Sequence, residues 1–316
     1  MPTGGAAHVP TRAQIDEAAA RIAASVRRTP TLELEHGAFG VPGRLVLKLE
    51  QLQHTGSFKV RGAFNRLLQA EVGPAGVVAA SGGNHGLAVA YAARALGHRA
   101  EIFVPATSPA AKVERIRAAG ARVHVVPGYY AEALAASEER VRETGALAVH
   151  AYDQPEVVAG QGTLGRELAE QARGLDAVLV AVGGGGLLAG IAAWFRGDVR
   201  VVGVEPERCP TLTRALEAGR PVDVEVGGAA ADSLGAARAG TIALAAAERF
   251  VDRVVLVPDE AIVRARRELW SAARVVVEPG AAAPLAALLC GRYVPGPEER
   301  VALVLSGANT DPADLA

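Results

Sequence analysis

The sequence predicts an α/β fold built from mostly parallel sheet with helices on both faces. Three observations carry that expectation. Short β-branched apolar runs alternate with helix-length segments along 316 residues. Those runs are apolar at nearly every position, the pattern of strands covered on both sides. Half of the residues are hydrophobic and 21% are charged, which supplies a large core and excludes wholesale disorder. A chain of this length suggests about two domains.

The elements follow in order. VVAAS (77–81) reads as a buried strand that runs through a glycine turn into the helical segment LAVAYAARALG, closed by Gly97. AEIFVP (100–105) is the next strand, and SPAAKVERIRAAG (108–120) a helix with proline near its start and glycine at its end. ARVHVVP (121–127) and ALAVHAY (146–152) read as strands flanking the helix YAEALAASEERVRETG. DAVLVAV, VRVVGVEPE, RVVLVP and ERVALVLSGAN supply the later strands. Residues 221–240 read as a surface loop, lying over a pocket or serving as a plain connection.

From Ala177 to Phe195 no residue is charged, and the length would suffice to cross a bilayer. Four consecutive glycines sit in its middle, each costing about 1 kcal/mol inside a helix. Strand, glycine turn and helix therefore explain the stretch better than a membrane span. The 33 Lys plus Arg nearly balance 34 Asp plus Glu, and only 4% of residues are aromatic. A nucleic-acid binder needs a basic surface and stacking side chains, so the expected partner is a small molecule. Cys209 and Cys290 are isolated, which fits two reduced thiols better than a disulfide framework. No basic region followed by an apolar core opens the sequence, so a cytoplasmic protein is expected.

Lys48, Lys59 and Lys112 are the only lysines, and the other 30 basic residues are arginines. Such a chain is expected to keep lysine where arginine cannot serve, because an ammonium can deprotonate and form a Schiff base. Lys59 lies in HTGSFKVRGAFNRLL, a polar turn entering a helix, where the helix amino terminus favours a neutral amine. An ordinary surface lysine would also fit that position. SGGNHG (81–86) joins a strand to a helix, and its amides suit a carboxylate or phosphate; a capped βα turn explains it equally. GGGGL (183–187) offers successive glycine amides to a phosphate, and an unspecific turn also explains it. Gly184, Gly186 and Ala189 also satisfy a relaxed dinucleotide fingerprint, with Glu205 about twenty residues on as the ribose acid. SGAN (306–309) ends the last strand, where Ser306 is either a cap or a ligand-facing hydroxyl.

SFKVRGA, SGGNHG, GGGGLLAG and LSGAN in this order resemble the fold-type II pyridoxal-phosphate enzymes, within them the serine/threonine dehydratase and serine racemase family. The resemblance spans nearly the whole chain, from RRTPTLEL (27–34) through AGQGTLGRE (159–167) and VVEPG to LSGAN. It implies a larger domain, 1–73 and 151–316, that binds pyridoxal 5'-phosphate, and a smaller one, 74–150, with the cofactor between them. It implies that Lys59 forms the Schiff base and that Phe58 stacks on the cofactor ring. Asn84 would meet the phenolic oxygen, and Ser306 the ring nitrogen. Gly183, Gly184, Gly185, Gly186 and Leu187 would hold the phosphate. Ser81, Gly82, Gly83, Asn84 and His85 would receive the substrate carboxylate.

The implied reaction is β-elimination from a hydroxy-amino acid such as L-threonine or L-serine, giving a 2-keto acid and ammonia. A racemase or β-replacement enzyme of the same fold is the alternative, and a nicotinamide-dependent oxidoreductase a distant one. A homodimer is implied as well. Several positions depart from the family. Gly82 stands where racemases carry a second serine, which disfavours racemisation. Leu87 replaces a usual Gln, Gly280 a Thr or Ser, and Ser233 a common glycine. Some members bind a divalent cation near the residue matching Glu205, but Thr211 replaces the usual aspartate, so no structural metal is expected. The sequence stops soon after SGAN, so no effector domain or end-product control is expected.

Overall fold

The computed structural model describes residues 7–315. Among them the strands are β1 (Thr31–Glu33), β2 (Arg44–Lys48), β3 (Val77–Ala80), β4 (Ala100–Pro105), β5 (Arg122–Val126), β6 (Leu147–Ala148), β7 (Ala177–Ala181), β8 (Arg200–Pro206), β9 (Arg253–Val257) and β10 (Arg300–Val304). The helices are α1 (Arg12–Ile22), α2 (Lys59–Gln69), α3 (Asn84–Ala95), α4 (Ala110–Ala118), α5 (Tyr130–Thr144), α6 (Pro155–Gln171), α7 (Gly186–Phe195), α8 (Thr211–Ala218), α9 (Ala231–Leu234), α10 (Thr241–Phe250), α11 (Asp259–Ala273) and α12 (Pro279–Leu289).

The strands form two sheets, six strands in the order β1-β2-β10-β7-β8-β9 and four in the order β5-β4-β3-β6. Only β1 runs antiparallel, against β2. The pairings of β10 with β2 and β7, of β7 with β8 and of β8 with β9 are parallel, as are all those of the smaller sheet. Side chains alternate between the two faces of the large sheet, as the pleat requires. Leu45, Leu47, Leu179, Val202 and Leu303 pack with α11 and α12. Val46, Val178, Val180, Val201 and Ala302 pack with α6 and α7. Both faces are dry, which is why these strands carry unbroken apolar runs.

Two sequence expectations needed adjustment. β1 and β2 are absent from the sequence reading, because charged Glu33, Arg44 and Lys48 bound them and break the apolar run. The segment 146–152 is strand only over Leu147–Ala148, beside β3 as its single neighbour. Beyond it the chain turns away, bringing the Ala151 carbonyl toward Lys59. The uncharged run 177–195 divides into β7, a glycine turn and α7. No helix among the described residues is long and apolar enough to cross a membrane.

Each sheet has one place where successive connections leave in opposite directions. In the large sheet it lies between β7 and β10, and in the small sheet between β3 and β6. Crevices at the carboxyl ends of such strand pairs collect ligands. The chain beyond these four strands carries Gly183, Ser306, Ser81 and Ala151, and all four line one cavity.

Candidate active site

That cavity measures about 640 Å³ and is enclosed by both sheets' strand ends. Lys59 opens α2, and the turn before it is stitched to the end of β10: Phe58 N donates to the Ser306 carbonyl at 3.1 Å, and Ser57 bridges Gly307. Thr55 adopts φ 60° in this turn, a left-handed conformation that costs a branched residue about 1–3 kcal/mol. Behind α2 lies a buried charge network. Arg61 donates to Glu50 and Glu167, and Lys48 donates to Glu167, Gln171 Oε1 at 2.8 Å and the Thr29 carbonyl at 2.7 Å. It ties β2, α2 and α6 together.

The Lys59 amine donates to the Ala151 carbonyl at 2.8 Å and has no carboxylate in ion-pair contact among the described residues. Burial lowers its pKa to about 8, against an opposing pull from Glu278. Its Nζ lies 5.0 Å from the centre of the Phe58 ring. An amine whose pKa is lowered toward neutrality gives up its proton more readily than an ordinary lysine and then acts as a nucleophile and a base.

Two groups of amides face the same space. Along Gly183, Gly184, Gly185 and Gly186 no backbone N–H donates to another described residue. Gly185 adopts φ 87°, and Gly184 packs so closely on the Tyr152 ring that a Cβ there would collide with it. Leu187 follows in the first turn of α7, whose positive end points at the turn. Opposite sequence segments supply the second group. Ser81 Oγ accepts from Gly83 N at 3.2 Å, and α3 begins at Asn84. Gly82, Gly83, Asn84 and His85 line the cavity beside it. His85 Nε2 lies 2.9 Å from the Val149 carbonyl; burial, reinforced by the Lys59 charge, lowers its pKa to about 3. The ring is neutral, with Nε2 as donor. Ser306 is buried at the cavity wall, and its hydroxyl has no partner among the described residues.

The unsatisfied glycine amides at a helix amino terminus fit a phosphate, and the lone enclosed amine fits an aldehyde. A scan against family models decides which family this is: residues 22–307 match the model described as pyridoxal-phosphate dependent enzyme. The chain belongs to that family. Pyridoxal phosphate is its cofactor and an amino acid its substrate. An L-threonine ammonia-lyase of Thermotoga maritima is 39% identical over 274 residues, 85% of this chain and 68% of that one. The crystal structure of a threonine deaminase from T.th. aligns at TM-score 0.89 with 39% identity, covering 96% of this chain and 99% of that one. Maize serine racemase aligns at TM-score 0.92 with 31% identity, covering 98% and 96%. The architecture of this pyridoxal-phosphate enzyme is therefore fold type II.

Several site residues were given no role by the sequence. Glu278 is buried, accepts from Asn84 Nδ2 at 2.8 Å, and has its pKa raised by burial against that hydrogen bond and Lys112. Tyr152 covers the glycine turn, and its hydroxyl donates to the Arg238 carbonyl at 3.1 Å. The segment 221–240 lies over the pocket, with Asp232, Ser233 and Leu234 in the cavity wall. Ser233 Oγ accepts from Gly280 N at 2.9 Å, and a Cβ on residue 280 would lie 2.6 Å from that oxygen. The departures at 233 and 280 are thus one compensated exchange. Leu87 packs into the apolar core beneath the small sheet.

Glu205 does not face the cavity. Burial raises its pKa, yet its oxygens accept from Leu212 N at 2.7 Å, Thr213 N at 2.9 Å and Thr213 Oγ1 at 2.7 Å. It caps α8, with Thr211 Oγ1 3.0 Å away, so the dinucleotide fingerprint loses its ribose acid.

Proposed function

We propose that this enzyme eliminates water from a β-hydroxy amino acid, L-threonine or L-serine, and releases a 2-keto acid and ammonia. The observation that carries this reading is the Lys59 amine, without a charged partner, in one cavity with the open amides of the four-glycine turn. The names of its relatives, threonine ammonia-lyase and threonine deaminase, point the same way. Residues 74–150, which contain all of the small sheet, are taken as the smaller domain. Two free cysteines, Cys209 and Cys290, favour a cytoplasmic enzyme, and a homodimer belongs to the same proposal.

When bound, pyridoxal phosphate draws electrons from the substrate Cα and so weakens its Cα–H bond. Lys59 would hold the aldehyde of the cofactor through Nζ and, once the substrate amine has replaced it there, would take the Cα proton as a free amine. Gly183, Gly184, Gly185, Gly186 and Leu187 receive the phosphate on main-chain N–H groups. Phe58 would lie against the ring, and Ser306 would offer its hydroxyl to the ring nitrogen. Asn84 has two N–H bonds on Nδ2; Glu278 accepts one, leaving the second for the phenolic oxygen. Ser81, Gly82, Gly83, Asn84 and His85 receive the substrate carboxylate, which fixes the Cα–H bond toward Lys59. In net terms one water would be lost across Cα–Cβ and one taken up on hydrolysis, giving one 2-keto acid and one ammonia per amino acid.

One observation supports the racemase reading. Ser108 Oγ fills the space where a Cβ on residue 82 would stand, so a hydroxyl from another segment faces the substrate loop. A panel of β-hydroxy amino acids given to the reconstituted enzyme separates the two. Keto-acid and ammonia release from L-threonine or L-serine is expected. Inversion of configuration without keto acid would replace the elimination reading.

A further inference from the structure

Four side chains form a directed hydrogen-bond chain that starts outside the cavity and ends inside it. Arg115, exposed on α4, donates from Nη2 to Asn309 Oδ1 at 2.6 Å. Asn309 Nδ2 donates to Asn84 Oδ1 at 2.6 Å and to the Thr55 carbonyl at 2.8 Å. Asn84 Nδ2 donates to Glu278 Oε1 at 2.8 Å, and Asn309 N reaches Glu278 Oε2 at 3.3 Å. Residue 56 makes room for this amide: a Cβ on Gly56 would approach Asn309 Oδ1 to 2.9 Å.

The ends of the chain dictate the orientation of its middle. A guanidinium offers only donors, so the Asn309 atom that faces Arg115 must be oxygen. Its nitrogen then faces Asn84, which must answer with its own oxygen. The Asn84 nitrogen is left toward the Glu278 carboxylate, an acceptor when ionised, and toward the cavity. A cation at one end and a carboxylate at the other polarise both amides in the same sense. Arg115 has no carboxylate in ion-pair contact among the described residues, so this amide is its polar partner there.

We propose that Arg115 is a positioning residue of this site, which through Asn309 holds Asn84 with its amide nitrogen turned into the cavity. The inference rests on the reading that Asn84 donates to the phenolic oxygen of the cofactor. It assigns a functional consequence to a surface arginine and to the last residue of LSGAN.

The test compares Arg115→Ala, Arg115→Lys and Arg117→Ala, the last removing an arginine of the same helix that pairs with Glu114. Loss of one charge-assisted hydrogen bond is expected to lower kcat about tenfold in Arg115→Ala, with KM changed less than about twofold. The visible absorbance of the reconstituted protein shifts, and in cofactor-free protein the side-chain amide resonances of Asn84 move. Arg115→Lys restores most of both signals, and Arg117→Ala leaves them at wild-type values. Wild-type kcat, absorbance and Asn84 resonances in Arg115→Ala would overturn the proposal, as would an equal effect from Arg117→Ala. Borohydride trapping of cofactor on Lys59 in the wild type separates the two levels. If Lys59 is labelled while Arg115→Ala behaves as wild type, only the positioning role fails. If Lys59 is never labelled, the site reading beneath it fails.

Discussion

Lys48 and Lys59 stand eleven positions apart, the first fully buried and the second partly buried at a cavity wall, and they differ in their partners. Burial pulls both pKa values down. Lys48 answers with Glu167, Gln171 and the Thr29 carbonyl, which satisfy three donors and keep the charge in place. Lys59 has one carbonyl, Ala151, and a cavity in front of it. Lys112, the third lysine, pairs with Asp232 at the cavity rim. Enclosure alone therefore does not make a lysine reactive; enclosure without a carboxylate in contact does. In the proposed reading the paired lysine holds the scaffold and the unpaired one does the chemistry.

Exchanging the two losses breaks that comparison most sharply. Lys59→Ala is expected to lower keto-acid release by at least about 10²–10⁴-fold, the range of a lost acid–base group, while the thermal unfolding midpoint of the cofactor-free protein hardly moves. Lys48→Met is expected to do the reverse. Removing one partner of a buried ion pair costs about 3–5 kcal/mol, seen as a lower denaturation midpoint, while folded molecules still bind the cofactor covalently. If Lys48→Met abolished the covalent link in folded protein, the division of labour would be wrong.

A smaller effect concerns pH. Aldehyde capture requires the neutral amine, so its rate must rise with pH and level off once Lys59 is deprotonated. With the pKa lowered to about 8 by burial, the midpoint should fall near 8 instead of the ordinary 10.5. Stopped-flow absorbance after mixing cofactor-free protein with pyridoxal phosphate measures this directly. A midpoint near 10.5 would mean that the amine is solvated and its surroundings misread.

The parts of this site that are contiguous in sequence were legible there. Lys59, the SGGNHG turn and the four-glycine turn each pair a strand end or loop with a helix start, a local arrangement that composition and spacing encode. Glu278, Tyr152 and Asn309 were not legible as site residues, because the fold alone brings them in. Glu278 meets Asn84 across 194 positions, and Asn309 meets it across 225. The same limit explains the strands. Uniformly apolar β7 and β8 stand out, whereas β1 and β6 lie at sheet edges and are two or three residues long. Glu205 shows the converse hazard: its spacing from the glycine turn suits a ribose, and only the structure shows its oxygens capping α8.

The proposed chemistry turns on which lysine bonds the cofactor. Reconstituting the protein with pyridoxal phosphate, reducing it with borohydride and mapping the labelled peptide by mass spectrometry answers that question. Stoichiometric label on Lys59 is expected, with Lys48 and Lys112 unmodified. Label on either of those two, or a protein that takes up none, would contradict it.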